Sequence, residues 1–201
     1  MENVEKVDKA DKVDKKPGIY TVANFVTVLR VLLAPVVLVL LYSESATWLF
    51  VCVGVMVLAE LTDMIDGMVA RGLNQVSDVG KLLDPLCDSL YRSMIFLGFL
   101  ALGIMPLWMV VIVVSRDIIV AYTRIIAGLK NIVMGARISG KIKAIFQGVG
   151  QIATVVLIAL SVTGVEMPVS TIIYWTLFVV TAVTAYSAID YASTVFASKK
   201  S

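Results

Sequence analysis

Histidine is absent from all 201 residues. That gap removes imidazole bases, Ser-His-Asp hydrolysis and the usual zinc sites together. Any proton transfer must fall to a carboxylate, lysine, tyrosine or cysteine, and any metal must be held mainly by oxygen. Cysteine is nearly missing as well: Cys52 and Cys87 both lie in apolar stretches, where a lone thiol behaves as a small hydrophobe. Charge is scarce, at 16% of residues against about 25% in soluble domains, whereas 59% are apolar against about 45–50%. This composition belongs to a membrane protein.

What is present is a series of apolar runs, each near the roughly 20 residues that a helix needs to cross a hydrocarbon core. Six are predicted, at about 24–43, 47–69, 82–102, 107–128, 144–164 and 170–196. Short alternating segments, the mark of a barrel, do not occur. The expected fold is therefore all-α: six transmembrane helices in one bundle over residues 20–198, preceded by a charged cytoplasmic segment, 1–19. The opening MENVEKVDKADKVDKKP sets five acids against five lysines, so it reads as a solvated tail or a short helix beside the membrane, without strong attraction to anionic lipid. No cleavable signal peptide is expected, because the first apolar run is too long and lacks a small-residue cleavage site. Lys and Arg avoid the links near 43–47, 103–106 and 163–169 and populate the others. Both termini and the links between spans 2 and 3 and spans 4 and 5 are accordingly placed in the cytoplasm. Trp48, Trp108 and Trp175 read as interfacial anchors, and Gly148, Ala153 and Ala159 as sites of close helix contact.

Against this background the acids stand out. DMIDGMVAR runs from Asp63 to Arg71 and is followed, after eight residues, by GKLLDPLCD, which ends at Asp88. An ionised group at mid-bilayer costs about 2.5–3.5 kcal/mol on insertion scales, so four cost roughly 10–14, comparable with the stability of a whole domain. Mutual repulsion adds to that, and nearby cations are too few to neutralise all four. Divalent cations, hard ions that prefer carboxylate oxygen, answer the problem. At 100° per residue, Asp63, Asp66, Gly67, Ala70 and Arg71 share an arc of roughly 140°. Asp84 and Asp88, four apart, share a face of the next segment, where Pro85 is expected to start or kink the helix. Gly67, Ala70 and Gly80 leave room for a bulky polar ligand, and Arg71 can neutralise a phosphate.

The pattern D-x2-D-G-x2-A-R-x8-G-x3-D-x3-D resembles the signature of the CDP-alcohol phosphatidyltransferases, matched at Asp63, Asp66, Gly67, Ala70, Arg71, Gly80, Asp84 and Asp88 without a gap. NFVTVLRVLLAP in the first span is similar to the N-x2-T-x2-R-x4-P opening of these enzymes. The resemblance implies transfer of a phosphatidyl group from CDP-diacylglycerol to an alcohol, with release of CMP, at the cytoplasmic face of a membrane, here a bacterial inner membrane. It implies that Asp63, Asp66, Asp84 and Asp88 hold two divalent cations, Mg2+ or Mn2+, and that Asp88 is also the general base. Gly67, Ala70, Arg71, Ser77 and Gly80 would meet the CDP part, with Asn24 and Thr27 lining the nucleotide pocket. A homodimer and membrane lipid are the implied partners, and no nucleic acid is expected.

For the acceptor, Arg116 and Arg124 lie about 80° apart around the fourth span, and Lys143, Gln147 and Gln151 form a polar stripe on the fifth. Arginines at membrane depth face the bundle interior. These either recognise an anion or pair internally with Asp117 or Asp190, and Arg30 and Arg92 stay open between structural and functional roles. A cationic pocket built on Arg116, Arg124, Lys143 and Gln147 favours a phosphorylated acceptor. WMVVIVVSRD and GKIKAIFQ are similar to phosphatidylglycerophosphate synthases, which implies glycerol 3-phosphate. Two positions depart from those enzymes, Ser89 where lysine is common and Asp117 where glutamate often stands. Inositol phosphate, serine or phosphatidylglycerol are the alternative acceptors. From another class comes a cation transporter with intramembrane carboxylates. It gives no reason for Gly67, Ala70, Arg71 and Gly80 at fixed offsets beside the acids.

Overall fold

The computed structural model describes the backbone of residues 22–72, 80–129 and 138–197, and the side chains of residues 29–62, 85–123 and 138–191. Six helices account for nearly all of it: α1 Val22–Leu41, α2 Ala46–Gly72, α3 Gly80–Ala101, α4 Leu107–Leu129, α5 Ile138–Val162 and α6 Val169–Ala197. No strand occurs among the described residues. Most helix ends fall within about three residues of the predicted runs, since an apolar run this long satisfies its backbone only as a helix. Two boundaries differ. α5 starts at Ile138, a turn and a half before its apolar run, so ISGKIK is helical and carries Lys143 into the interior. α3 starts at Gly80 and continues through Pro85, which stands in its second turn and removes a single ladder bond.

The helices close a ring in the order α1, α2, α5, α6, α4, α3, with α3 also touching α5 across the middle. Residues 42–45, 102–106 and 163–168 form the tight connections. At the end of α3, Gly103 takes φ 71°, a conformation that side chains resist. The Ile104 amide then donates to Phe99 O at 2.9 Å and the Gly103 amide to Leu100 O at 2.9 Å, satisfying two orphan carbonyls.

The interior has two halves. Near the tight connections it is apolar, with Leu49, Ile95, Phe96, Phe99, Met109 and Leu177 fully buried. Toward the other end Arg30, Arg92, Arg116, Asp117, Lys143 and Gln147 are each 8% exposed or less. The outer surface reverses this: Leu32, Val39, Leu58, Val111, Ile119, Ile145 and Ile189 are exposed. Leaving one such side chain in water forgoes about 1.5–3 kcal/mol, so a surface of this kind calls for an apolar surrounding. Among the described residues, two stretches, Ile138–Val162 and Val169–Tyr191, are long and apolar enough to cross a membrane, and Leu29–Leu41 and Ala46–Thr62 are shorter apolar helices.

Candidate active site

A layer of buried and half-buried ion pairs ties the ring together where its polar half begins. Arg30 on α1 pairs with Asp88 on α3, and its Nη2 donates to Ala59 O on α2 at 3.3 Å. Arg92, one turn beyond Asp88, reaches Glu60 on α2 at 3.0 Å and Ala144 O on α5 at 2.5 Å. Gln151 of α5 donates to Arg92 O at 2.8 Å. On the far side of the ring a single carboxylate holds two cations: Lys143 Nζ lies 2.6 and 2.8 Å from the oxygens of Asp117, and Arg116 Nη1 lies 3.1 Å away. Arg116 Nη2 also donates to Ser187 Oγ on α6 at 2.6 Å, while its buried Nε has no partner.

Between these pairs lies a cavity of about 200 Å³, lined by Pro85, Asp88, Ser89, Arg92, Arg116, Gly140, Lys143 and Ala144. Among the described residues, three cations and one carboxylate share its wall. Among the described residues of the layer, Arg30, Arg92, Arg116 and Lys143 face Glu60, Asp88 and Asp117, four positive groups against three negative. An anion entering the cavity meets Arg92, Arg116 and Lys143 against Asp88 among the described residues of its wall.

The cavity gathers Asp88, Arg116 and Lys143 from the expected site residues. Gln147 lies one turn past Lys143, outside its lining, with Nε2 3.3 Å from Thr184 Oγ1 and Oε1 unpartnered. Asp190, the other candidate partner for the arginines, accepts from Ser139 at 2.6 Å. The side chains of Asn24, Thr27, Asp63, Asp66, Ala70, Arg71, Asp84 and Arg124, and the surroundings of Gly67 and Gly80, lie outside those described, although their backbone is helical; Ser77 lies outside altogether.

Register still constrains the acids. Glu60 meets Arg92, and one guanidinium, Arg30, reaches both Ala59 and Asp88. From these ties α2 runs on to Asp63 and Asp66, and α3 runs back to Asp84, toward the ends joined by residues 73–79. Along two antiparallel helices tied in this way, the four aspartate positions fall within about five to seven residues along the axis, roughly 8–11 Å. Carboxylates are the donor type that a hard divalent cation takes. Sequence reasoning missed Glu60, Ser139, Thr184 and Ser187. Glu60 carried a usable signal, an ionisable residue inside an otherwise apolar run; the hydroxyls carried none.

Residues 20–188 match the family described as CDP-alcohol phosphatidyltransferase. The chain is 30% identical over 137 residues to "CDP-diacylglycerol--glycerol-3-phosphate 3-phosphatidyltransferase" of Bacillus subtilis, covering 62% of this chain and 70% of that protein. It is 38% identical over 106 residues to a "Putative cardiolipin synthase" of Mycobacterium tuberculosis, covering 52% of this chain and about half (49%) of the relative. A "Probable phosphatidylglycerophosphate synthase" of the same species is 29% identical over 134 residues, 65% of this chain and 64% of the relative.

Proposed function

From the membership of this chain in the CDP-alcohol phosphatidyltransferase family, we propose that it transfers the phosphatidyl group of CDP-diacylglycerol to the hydroxyl of glycerol 3-phosphate and releases CMP, a step of phospholipid biosynthesis. The observation that carries the choice of acceptor is the cavity in which Arg116 and Lys143 face Asp88. A phosphate monoester brings nearly two negative charges at neutral pH. Arg116 and Lys143 share one carboxylate, so together they hold a positive charge free to meet it. Arg124 extends this binding surface, and Gln147, buried one turn past Lys143, backs it from behind. Serine, a zwitterion, needs no such surplus. Phosphatidylglycerol, the alternative raised by the cardiolipin synthase relatives, offers only a singly charged diester to a cavity of about 200 Å³.

With its phosphate held there, the acceptor presents a hydroxyl to Asp88. Arg30 fixes the orientation of that carboxylate. Asp88 takes the hydroxyl proton as the oxygen bonds to the donor phosphorus, and the bond from phosphorus to the CMP oxygen breaks. A direct displacement of this kind inverts configuration at phosphorus. Asn24, Thr27, Gly67, Ala70, Arg71, Ser77 and Gly80 bind the CDP portion. The family generally uses divalent metal; here Asp63, Asp66, Asp84 and Asp88 would hold two ions, Mg2+ or Mn2+, which spread the pyrophosphate charge when bound. All six helices cross the membrane of a bacterial cell, with both termini and the cavity on the cytoplasmic side, and the enzyme works as a homodimer. The exposed apolar exterior and the interior charges support this placement.

An acceptor panel tests the proposal. With labelled CDP-diacylglycerol and Mg2+, CMP release is expected to be greatest with glycerol 3-phosphate among glycerol 3-phosphate, inositol 1-phosphate, inositol, serine and phosphatidylglycerol. Preference for serine or inositol would sink the choice of acceptor.

A further inference from the structure

Arg92 plays no part in the chemistry just described, yet it stands on the cavity wall one helical turn from Asp88. It is 7% exposed. Its guanidinium is braced from two helices, by Glu60 on α2 at 3.0 Å and Ala144 O on α5 at 2.5 Å. These two bonds use two of its five N–H groups, so three are left for a ligand. Ser89, its neighbour on the same wall, is uncharged. Among the described residues of α3, Arg92 is thus the cation that lines the cavity.

The brace itself has a steric requirement. A Cβ at Gly148 would lie 3.0 Å from Cδ and Oε1 of Glu60, so α5 carries hydrogen where the carboxylate sits. Joining three helices does not call for an ion pair with a buried guanidinium, because apolar side chains of similar volume do so at least as well. Placing a rigid, charged fork beside Asp88 does call for one. Resting on the reading of the cavity as the acceptor pocket, we propose that Arg92 binds the acceptor phosphate and fixes which phosphorylated alcohol fits, and that Glu60 is its positioning residue. Arg92 then approaches the phosphate from α3 while Arg116 and Lys143 approach from α4 and α5. The acceptor hydroxyl is left near Asp88 only when the chain between phosphate and hydroxyl is short.

Steady-state kinetics of the purified full-length chain in mixed micelles, with CDP-diacylglycerol, glycerol 3-phosphate and Mg2+, test this. Arg92→Gln is expected to raise the KM for glycerol 3-phosphate about 10- to 100-fold while the KM for CDP-diacylglycerol stays within about twofold. Arg92→Lys should recover part of that loss. Glu60→Gln should raise the acceptor KM by less, and should add nothing in the Arg92→Gln background, as for two residues acting through one contact. An acceptor KM within about twofold of wild type in Arg92→Gln, or an equal rise for both substrates, would overturn the inference. If Arg92→Gln does not elute as a folded species, Arg92→Lys decides alone: a several-fold rise confined to the acceptor supports the inference, and an unchanged acceptor KM sinks it. A wild-type chain that uses no phosphorylated alcohol overturns the parent reading together with this one, whereas an active wild type with an indifferent Arg92 overturns only this one.

Discussion

Asp117 is the most constrained single residue in the polar layer: its side chain is 1% exposed, and its two oxygens serve Lys143 and Arg116 at once. Removing its charge leaves two buried cations around a neutral amide. Breaking a buried pair in this way costs about 3–5 kcal/mol. Asp117→Asn should therefore melt well below the wild type in detergent, and glycerol 3-phosphate should restore part of the loss by supplying the missing anion. Unchanged melting would mean that the cations are neutralised by something else. At this scale the sequence is legible wherever an ionisable residue interrupts an apolar run, because membrane burial makes such residues conspicuous: Arg116 stands out so, whereas Lys143, just before its run, is legible only through the polar stripe it forms with Gln147 and Gln151. Glu60 obeys the same rule but precedes the aspartate signature and passed as part of the second span. Thr184 and Ser187 were illegible for a different reason: hydroxyls in such helices commonly bond their own backbone, as Thr184 does to Val180 O at 2.8 Å. Nothing in their spacing announces a bond to a neighbouring helix.

At the scale of elements, the lengths of the apolar runs predicted all six helices, since length against hydrocarbon thickness is a strong signal. The order of the helices around the ring was not predictable. Partner choice depends on small shapes at crossings, and several of these involve glycine. A Cβ on Gly150 would come within 2.4 Å of Val180 Cγ2, and one on Gly98 within 2.5 Å of Leu38 Cδ2. These contacts set how closely α5 lies on α6 and α3 on α1. Gly150→Val should cost about 1–3 kcal/mol through overpacking, read as a lower melting temperature, and Val180→Ala in the same chain should return most of it. A tolerated Gly150→Val would show that α5 and α6 are less tightly apposed than this packing implies. The start of α5 at Ile138 belongs to this scale as well. Hydropathy sees only where lipid begins, whereas the helix continues into the polar layer to deliver Lys143.

Over the whole molecule the distribution of polarity is inverted, with aliphatic side chains outside and a charged stratum inside one half of the ring. That stratum ties all six helices: α1 to α2 and α3 through Arg30, α2 to α3 and α5 through Arg92, and α4 to α5 and α6 through Asp117, Lys143 and Arg116. Under the proposed function, this stratum sets Asp88 and the cations of the cavity wall at one depth, where a lipid-borne donor and a water-borne acceptor would meet. The signature acids could be located in the sequence, but their level relative to Glu60 and Arg92 could not, because register between helices is set by side-chain pairs distant along the chain. The central claim is that this stratum performs the transfer with Asp88 as base. Its most direct measurement is the stoichiometry of products from wild type and Asp88→Asn, both folded in proteoliposomes containing CDP-diacylglycerol, glycerol 3-phosphate and Mg2+. The account predicts equal amounts of CMP and phosphatidylglycerophosphate from the wild type and, for the variant, a rate lower by at least about 100-fold. CMP released without the lipid product, or an Asp88→Asn rate close to wild type, would contradict it.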